Sequence, residues 1–247
     1  MRRTVVLGTE IDAVSLSEAT DRALNEMQRR RSAYVVTPNA EMLLTARRDP
    51  ALRAALRGAA LSLCDGVGVQ LAARILGDPI RERIPGVDFI RALLPHMDRA
   101  GGRVFLLGAL PGVAERAARR LHEAFPALEI VGWQDGYYAP EEEPALVARI
   151  NALSPELVIV CLGSPRQEIW MREHAAVLRV GLMAGLGGTL DLFAGRVRRA
   201  PRWMRRAGLE WLFRTMAEPR RIARAVRLPA LLIAALQSRI GGKQRDG

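Results

Sequence analysis

Short runs of aliphatic and β-branched residues recur along the first three quarters of the chain and alternate with segments of helical periodicity. The runs are TVVLGT (4–9), AYVVT (33–37), ALSLC (60–64), RVFLLG (103–108), ALEIVG (127–132), ELVIVCLG (156–163) and RVGLMAG (179–185). Between them, apolar residues recur every three or four positions, as at Leu16, Ala19, Ala23 and Met27. This is the spacing of a helix with one buried face. The alternation predicts an α/β fold: a Rossmann-like, doubly wound and mostly parallel sheet with helices on both faces.

Turn-forming and polar residues follow most of these runs. The segments are TPNAE, CDGVG, GALPG, WQDGYY, GSPRQEIW and GLGGTLD. In a parallel sheet the carboxyl ends of the strands share one edge, and open α/β sheets bind their ligands outside that edge. The sequence therefore predicts that these segments meet at one rim and form a binding site there.

The alternation of strands and helices stops after Asp191, and helical patterns occupy the rest of the chain. Gly195 and Pro201 are typical of a boundary between the two parts. We therefore predict an α/β domain over residues 1–195 and a basic helical appendage over residues 196–247.

The end of this appendage is predicted to be amphipathic. One face holds Ile222, Val226, Pro229, Ile233, Leu236 and Ile240, and the opposite face holds Arg220, Arg221, Arg224 and Arg227. Because proline has no backbone N–H and disturbs the preceding turn of a helix, we expect a bend at Pro229.

The net charge of +11 on the 247 residues is concentrated in the appendage. Residues 196–247 hold thirteen Arg and one Lys against three acidic residues, whereas residues 1–195 hold 23 basic and 23 acidic residues. An apolar stripe beside a row of arginines is typical of a helix that docks on an anionic membrane surface. A solvated helix that packs on the body, or a helix that binds a partner, remains an alternative.

The sequence lacks the motifs of several enzyme classes. It has no G-x-x-x-x-G-K-[ST], and in place of an early G-x-G-x-x-G it offers only GLGG, so P-loop and dinucleotide enzymes are disfavoured. The ten aspartates form no D-x-D pair that would clamp a metal-bound nucleotide. Cys64 and Cys161 lie in apolar runs and predict buried thiols in a reducing compartment. His96, His122 and His174 lack metal-binding spacing and are expected at the surface.

The sequence also predicts where the protein works. Its first twelve residues lack the apolar core of a signal peptide, and the late apolar run LPALLIAAL (228–236) is far shorter than the roughly 20 residues that cross a bilayer. We expect a cytoplasmic protein that associates peripherally with the inner face of the plasma membrane.

Each polar residue at the predicted rim has an ordinary structural interpretation. Asp65 precedes a helical pattern and is as well suited to an N-cap as to catalysis. Thr37 and Asn39 are suited to a turn around Pro38. Gln167 would suit the start of a helix, and Tyr137 and Asp191 would suit ordinary turns. No one of these residues establishes a function alone.

The joint order and spacing of several motifs are more informative. The motifs are TPNAE, CDGVG, RIPGVD, GSPRQEIW, GLGGTLDLFAG and RAPRWMRRAGLEWLFRTMAEPRR. With them the chain resembles the WecG/TagA/CpsF glycosyltransferase family (glycosyltransferase family 26) from about Val5 to about Arg227. The blocks GSPRQEIW and RAPRW...GLEW...EP.R are the most specific parts of this resemblance.

The resemblance implies a catalytic α/β domain that performs an inverting, metal-independent sugar transfer without a cofactor. The donor would be a UDP-sugar carrying a hexose or N-acetylhexosamine-type sugar, such as N-acetylmannosamine, its uronic acid or glucose. The acceptor would be a polyprenyl-diphosphate-linked saccharide used for wall teichoic acid, capsule or exopolysaccharide. The sequence leaves open the donor sugar, the acceptor saccharide and the oligomeric state, a homo-oligomer included.

The resemblance also implies roles for particular residues. Asp65 matches the proposed general base of the family. Thr37, Asn39, Arg83 and Gln167 match residues that line the donor and acceptor pocket. Tyr137 and Asp191 match positions that hold the nucleoside, and the diphosphate would be approached by Arg214, Arg221 and Arg224.

Two other classes of function remain as alternatives. A basic tail on an α/β body is also typical of a nucleic-acid-binding module without glycosyl transfer, but such a module needs stacking aromatics among its basic residues. Only Trp203, Trp211 and Phe213 are available, and we expect Trp211 in the core. A dinucleotide oxidoreductase is disfavoured by its missing fingerprint.

Overall fold

The computed structural model describes residues 2–217 and 227–243, with no side-chain description at 214, 217 and 241–243. The strands are β1 (Arg3–Val6), β2 (Thr9–Asp12), β3 (Ala33–Val36), β4 (Leu61–Ser62), β5 (Arg103–Gly108), β6 (Glu129–Gln134), β7 (Leu157–Cys161) and β8 (Leu182–Gly185). The helices are α1 (Leu16–Arg29), α2 (Ala40–Ala46), α3 (Pro50–Arg57), α4 (Val67–Leu76), α5 (Gly86–Arg99), α6 (Val113–Ala124), α7 (Glu143–Leu153), α8 (Arg166–His174), α9 (Thr189–Phe193), α10 (Arg202–Arg206), α11 (Glu210–Ala217) and α12 (Arg227–Lys243).

A six-stranded sheet forms the centre of the molecule. Its strand order is β4-β3-β8-β7-β5-β6, and every neighbouring pair is parallel. The predicted Rossmann-like α/β fold is therefore confirmed. Because all six strands run in the same direction, the segments that follow them lie along one edge of the sheet, as the sequence pattern predicts.

Both faces of the sheet are covered by apolar helices. The strand β5 shows the alternation directly: Leu106 faces one cluster of buried side chains, while Phe105 and Leu107 face another. Helices α1, α5 and α6 contribute to the first cluster, and α3, α7 and α8 contribute to the second. Burial on both faces explains why the strands read as nearly continuous apolar runs.

The first apolar run does not join the main sheet. Residues 3–12 form an antiparallel hairpin of β1 and β2, which turns through Leu7 and Gly8 with φ values of 48° and 83°. Positive φ at both turn residues is what a tight hairpin connection requires. The buried Asp12 holds the hairpin against the edge strand β4, because its Oδ2 accepts a hydrogen bond of 2.8 Å from the backbone N–H of Ser62.

The helix α12 packs on the body through one of its faces. Leu231 and Ala235 are fully buried in a cluster that includes Val69 of α4 and Leu43 of α2. Gly68 makes this close packing possible, since a Cβ atom there would overlap the Cδ1 methyl of Leu228.

The opposite face of α12 leaves a second apolar stripe in solvent. Ile233, Leu236 and Ile240 are 55%, 48% and 63% exposed. Pro229 lies near the start of the described part of α12, and the residues before 227, including Arg220, Ile222 and Val226 of the predicted faces, lie outside the described residues, so the bend at Pro229 stays a prediction. The proposed division at residue 195 remains a prediction.

Among residues 2–217 and 227–243, no helix combines the length and the hydropathy that spanning a bilayer requires.

Candidate active site

A cavity of about 230 Å³ opens at the carboxyl edge of the sheet. Six parts of the chain build its walls: the segments after β3, β4 and β8, the segment leading into α5, and helices α11 and α12. Its lining includes Asn39, Glu41, Asp65, Gly66, Val67, Gly68, Arg83, Gly86, Leu186, Thr189, Glu210, Trp211, Thr215 and Leu228.

Asp65 lies in the short loop between β4 and α4. Its backbone N–H donates a 3.3 Å hydrogen bond to the carbonyl of Pro38, which ties this loop to the loop after β3. The N-cap of α4 is Gly66, with φ −99° and ψ 142° and no side-chain capping bond. The N-cap interpretation of Asp65 is therefore wrong, because the helix begins one residue later and Asp65 borders the cavity instead.

The thiol of Cys64 reports on the charges around Asp65. Burial, reinforced by the negative charge of Asp65, raises the pKa of Cys64 to about 12, and the positive charge of Arg83 opposes this shift. The thiol is therefore protonated at neutral pH and is a poor nucleophile. This leaves Asp65 as the better candidate for chemistry at this strand end.

Arg83 connects two walls of the cavity. Its Nη1 lies 3.4 Å from the backbone oxygen of Asp65, and its Nη2 donates a 3.1 Å hydrogen bond to the carbonyl of Arg205. The next residue, Ile84, donates through its backbone N–H to the carbonyl of Cys64 at 2.7 Å. These bonds hold a guanidinium group at the edge of the cavity next to Asp65.

Asn39 combines a structural role, which the sequence did not predict, with a position in the wall of the cavity. It is the N-cap of α2, where its Oδ1 accepts a 3.1 Å hydrogen bond from the backbone N–H of Met42. It also lines the cavity. Since the cap uses the carbonyl oxygen of the side chain, the Nδ2 group is the part suited to donate to a ligand.

Thr37 and Gln167 are buried behind the lining of the cavity. The hydroxyl of Thr37 donates to the carbonyl of Gly185 at 3.1 Å. The Oε1 of Gln167 accepts from the backbone N–H of Gly187 at 3.1 Å, and its Nε2 donates to Glu168 at 2.6 Å. Both side chains fix the loop after β8, which contributes Leu186 and Thr189 to the lining; their direct contact with substrate stays a prediction.

Tyr137 and Asp191 lie outside this cavity. Tyr137 follows the edge strand β6, and it is 71% exposed. Asp191 belongs to α9, and its carboxylate accepts a 2.9 Å hydrogen bond from Arg196. The two residues stand on other parts of the same rim, so a nucleoside held by them would extend along the edge of the sheet.

The three predicted diphosphate-binding arginines are only partly covered by the structure. Arg214 belongs to α11, the helix that also supplies Trp211 and Thr215 to the cavity, and its side chain is not described. Arg221 and Arg224 lie outside the described residues. Their proposed role stays a prediction.

Several cavity residues escaped the sequence reasoning. The expectation that Trp211 lies in the core is wrong, since it is 38% exposed and lines the cavity. The neighbouring Glu210 is buried in its place and pairs with Arg199 at 3.4 Å. An acidic residue on the inner face of a short helix hides the usual apolar signal. Glu41 stands two residues after Asn39 in TPNAE, a segment that the sequence pattern already places at the rim, so the sequence could have indicated it as a cavity residue.

The histidines differ from one another. His96 and His122 are exposed, as expected. His174 contradicts the surface prediction, because it stacks on Trp170 with 4.6 Å between ring centroids and pairs with Glu143 at 3.2 Å. Within the described part of the chain, no three His, Cys, Asp or Glu side chains cluster in a way suited to a metal ion.

Comparison with known proteins agrees with the geometry of the site. The model of the glycosyl transferase WecG/TagA/CpsF family matches residues 4–245. The chain is 35% identical over 211 residues to the N-acetylglucosaminyldiphosphoundecaprenol N-acetyl-beta-D-mannosaminyltransferase of Bacillus spizizenii. That match covers 85% of this chain and 81% of the relative. With its parallel sheet, its rim cavity and a family match over nearly its whole length, the chain belongs to the glycosyl transferase WecG/TagA/CpsF family.

Proposed function

We propose that the protein transfers a hexose or N-acetylhexosamine-type sugar from a UDP-sugar to a polyprenyl-diphosphate-linked saccharide, with inversion at the anomeric carbon. One observation carries the proposal: Asp65 lines a rim cavity whose outer wall comes from α11 and α12, the basic and apolar end of the chain. This arrangement supports a reaction between a nucleotide sugar and an acceptor that arrives from a membrane.

Asp65 is proposed as the general base. Inversion needs one carboxylate that takes the proton from the acceptor hydroxyl while its oxygen attacks the anomeric carbon opposite the departing UDP. A residue at the end of β4 is held by the sheet and by the backbone bond to Pro38, so its place is fixed before substrate binds. The other cavity carboxylates, Glu41 and Glu210, lie on helices α2 and α11.

Positive groups at the cavity would stabilise the leaving diphosphate. The guanidinium of Arg83 stands beside Asp65, and α4 begins at the cavity wall with Gly66, Val67 and Gly68. Fixed donors and the positive end of a helix favour the negative charge that develops on a leaving phosphate. We propose that these groups, with the arginines after residue 195, do this work without a metal ion or cofactor.

The relative supports the proposed class of acceptor. Its name describes the transfer of N-acetylmannosamine to N-acetylglucosaminyl-diphospho-undecaprenol. We infer a lipid-linked acceptor of the same class for this chain, used in the synthesis of wall or other envelope polysaccharide. The identity of 35% leaves the donor sugar to be determined, because one or a few pocket contacts decide between similar sugars.

The exposed groups of the last helices support docking on an anionic membrane. The apolar side chains of α12 that face solvent lie in the same part of the chain as the exposed Trp203 and Met216 and a cluster of arginines. Apolar and aromatic side chains enter the interface, and each nearby arginine gains about 1 kcal/mol from the anionic surface. The cavity would then face the lipid-linked acceptor at the cytoplasmic side.

The decisive experiment is a transfer assay with the purified protein, a panel of UDP-sugars and a synthetic prenyl-diphosphate-linked N-acetylglucosamine. We expect one UDP-sugar to support transfer with inverted configuration, with and without a chelator. The variant Asp65→Asn should lose about 10²- to 10⁴-fold in turnover, the usual contribution of a general base. Its affinity for the UDP-sugar, measured by calorimetry, should be nearly unchanged.

The matched control is Asp78→Asn. Asp78 is an exposed aspartate outside the cavity that pairs with Arg2, and its loss should leave turnover unchanged. Turnover by Asp65→Asn close to that of the wild type would remove Asp65 from the mechanism. If none of the UDP-sugars is transferred to the lipid-linked acceptor, the proposed reaction is wrong.

A further inference from the structure

Arg199 is held between two acidic side chains from different parts of the fold. Its Nη1 and Nη2 donate to the two carboxylate oxygens of Asp88 at 2.5 and 2.6 Å, and its Nε lies 3.4 Å from Glu210. The side chains of Arg199 and Glu210 are only 10% and 9% exposed. The forked pairing with Asp88 is the geometry that gives arginine–carboxylate pairs their strength and direction.

Asp88 and Arg199 are both expected to be charged. Burial raises the pKa of Asp88, but the hydrogen bonds and charge of Arg199, helped by Arg205 and Arg83, outweigh it and lower that pKa below its usual value. Burial lowers the pKa of Arg199, and the bonds and charges of Asp88 and Glu210 raise it further than burial lowers it. Asp88 and Arg199 therefore form a fixed ion pair at neutral pH.

The position of this ionic contact links two walls of the cavity. Asp88 lies in the first turn of α5, two residues after Gly86, which lines the cavity. Glu210 begins α11, and Trp211 and Thr215 of the same helix line the cavity. The bond from Arg83 to the carbonyl of Arg205 ties the segment before α5 to α10, the helix that precedes α11.

We propose that Arg199 is a positioning residue, whose contacts with Asp88 and Glu210 hold α11 as a wall of the active site. The inference deepens the proposed function and rests on it. The motif RIPGVD contains Asp88, and RAPRW...GLEW contains Arg199 and Glu210. The contact therefore assigns a structural role to residues of both motifs that have no part in the reaction chemistry. Without it, α11 would lose the ionic link to α5 that runs through Arg199, and the cavity would lose a defined wall.

The first test measures transfer by Arg199→Met and Arg199→Lys. Loss of a wall misplaces the substrates, and a displacement of about 1 Å costs roughly 10²-fold in rate. We expect about this loss in kcat/KM for Arg199→Met. A smaller loss is expected for Arg199→Lys, which keeps the charge and loses the fork. The control Arg119→Met removes an exposed arginine paired with Glu115 on α6 and should keep full activity.

The second test follows the wall itself by hydrogen exchange in the full-length protein. Leu209 and Phe213 donate backbone N–H groups to carbonyls of this segment, so their exchange reports whether it is ordered. In Arg199→Met we expect faster exchange over residues 202–217 and unchanged exchange in β5 and β7. The milder Glu210→Gln should show the same local effect if Arg199→Met does not fold.

The outcomes separate this proposal from the proposed function. Unchanged exchange over residues 202–217 in both Arg199→Met and Glu210→Gln would overturn it, whatever happens to activity. Faster exchange throughout the sheet in every folded variant would also overturn it, because the contact would then support the whole fold. If the wild type transfers no sugar, the proposed reaction fails, while the exchange experiment still decides whether Arg199 holds the wall.

A chemical rescue gives a further readout. The variant Arg199→Ala leaves space for a guanidinium group between Asp88 and Glu210. Millimolar methylguanidinium should restore part of its transfer activity and slow the exchange over residues 202–217, whereas methylammonium should restore less. The absence of any rescue, together with normal exchange in the unrescued variant, would contradict the proposal.

Discussion

At the scale of single residues, backbone geometry decides between interpretations that the sequence leaves open. Asp65 and Asn39 both precede a helix and both are favoured N-cap types. Asn39 caps α2 and also lines the cavity, whereas the cap of α4 is Gly66, so Asp65 borders the cavity without capping a helix. A shift of one residue in where a helix begins is below what a propensity pattern resolves.

The sequence pattern also does not indicate that certain polar residues are buried. Gln167 and Glu168 look like the solvated start of a helix, yet both side chains are buried, and Gln167 accepts a hydrogen bond from the loop after β8. The sequence places them at the rim, but their depth depends on how closely α8 approaches β8. Met171 and Gln167 pack against Gly185 there, a contact that only the assembled sheet creates.

The buried carboxyl of Glu168 predicts a particular pH dependence. Burial raises its pKa, and the hydrogen bonds from Gln167 and Ser164 reduce this shift without cancelling it. A raised pKa in the folded state means that folding binds a proton, so this residue's contribution to stability is greatest below about pH 4.5 and is lost as the pH rises. Each pH unit within that window costs at most about 1.4 kcal/mol.

We therefore expect the variant Glu168→Gln to gain stability relative to the wild type as the pH increases. Urea unfolding at pH 4.5, 6 and 8 measures the difference in the free energy of unfolding. The control is Glu173→Gln, an exposed residue on the same helix, whose difference from the wild type should stay nearly constant. A difference for Glu168→Gln that does not change with pH would show that the carboxyl is not strained by burial.

At the scale of elements, hydrophobic periodicity located the strands of the main sheet well. Six of the seven runs became strands of that sheet, because strands buried on both faces read as uninterrupted apolar runs. The run at residues 4–9 became part of a hairpin instead. Its two turn residues, Leu7 and Gly8, carry too weak a turn signal, since leucine rarely adopts positive φ.

The helix α12 was predicted as amphipathic, but its second apolar face was not recognised. Alanine is small and barely affects a hydrophobic pattern, although Ala234 and Ala235 are buried. Of the apolar stripe predicted from the sequence, the described residues Pro229, Ile233, Leu236 and Ile240 are exposed, and Ile222 and Val226 lie outside the described residues. The buried face depends on Gly68, whose missing side chain is meaningful only once α4 and α12 are in contact.

Because one face of α12 is buried and the other is exposed, we expect substitutions of two of its leucines to differ strongly in their effect on stability. Leu231→Ala removes a fully buried side chain and should weaken the docking of α12 by about 2–5 kcal/mol. Leu236→Ala removes a side chain that is 48% exposed and should cost less than about 0.5 kcal/mol. Hydrogen exchange in α12 measures both. Equal protection in the two variants would mean that α12 does not pack as described.

At the scale of the whole molecule, charge and apolar surface are distributed unevenly. The neutral body carries the sheet, and the last fifth of the chain carries the entire net charge of +11. That asymmetry could be read directly from the sequence. The sequence could not show that α11 and α12 also form walls of the cavity, because this depends on the packing of distant segments.

The proposed membrane docking predicts the behaviour of a triple variant. Replacing Ile233, Leu236 and Ile240 by serine leaves the net charge unchanged and removes three apolar side chains that are about half exposed. Each of them would contribute roughly 1 kcal/mol to the free energy of membrane binding through its exposed apolar area. We expect vesicle affinity to fall by about 10²-fold with anionic lipids. The control Val177→Ser removes an exposed apolar residue that precedes β8 and so lies near the amino ends of the strands, away from the cavity. It should leave the vesicle affinity unchanged.

Co-sedimentation with vesicles at several salt concentrations measures this binding. The wild type should bind anionic vesicles more tightly than neutral ones, and added salt should weaken the binding, because the arginines act through a screened field. Unchanged binding by the triple variant would remove the stripe on α12 from the membrane contact. Unchanged melting temperature would show that the substitutions spare the fold.

The packing of α12 on α2 and α4 also has a consequence during protein synthesis. Leu231 and Ala235 complete an apolar cluster that Val6, Leu43 and Val69 begin. The ribosome makes those three residues long before α12, so the emerging chain carries an exposed apolar surface beside an otherwise complete sheet. Chaperones, or the bilayer itself, are therefore expected to bind this surface until α12 has been translated and covers it.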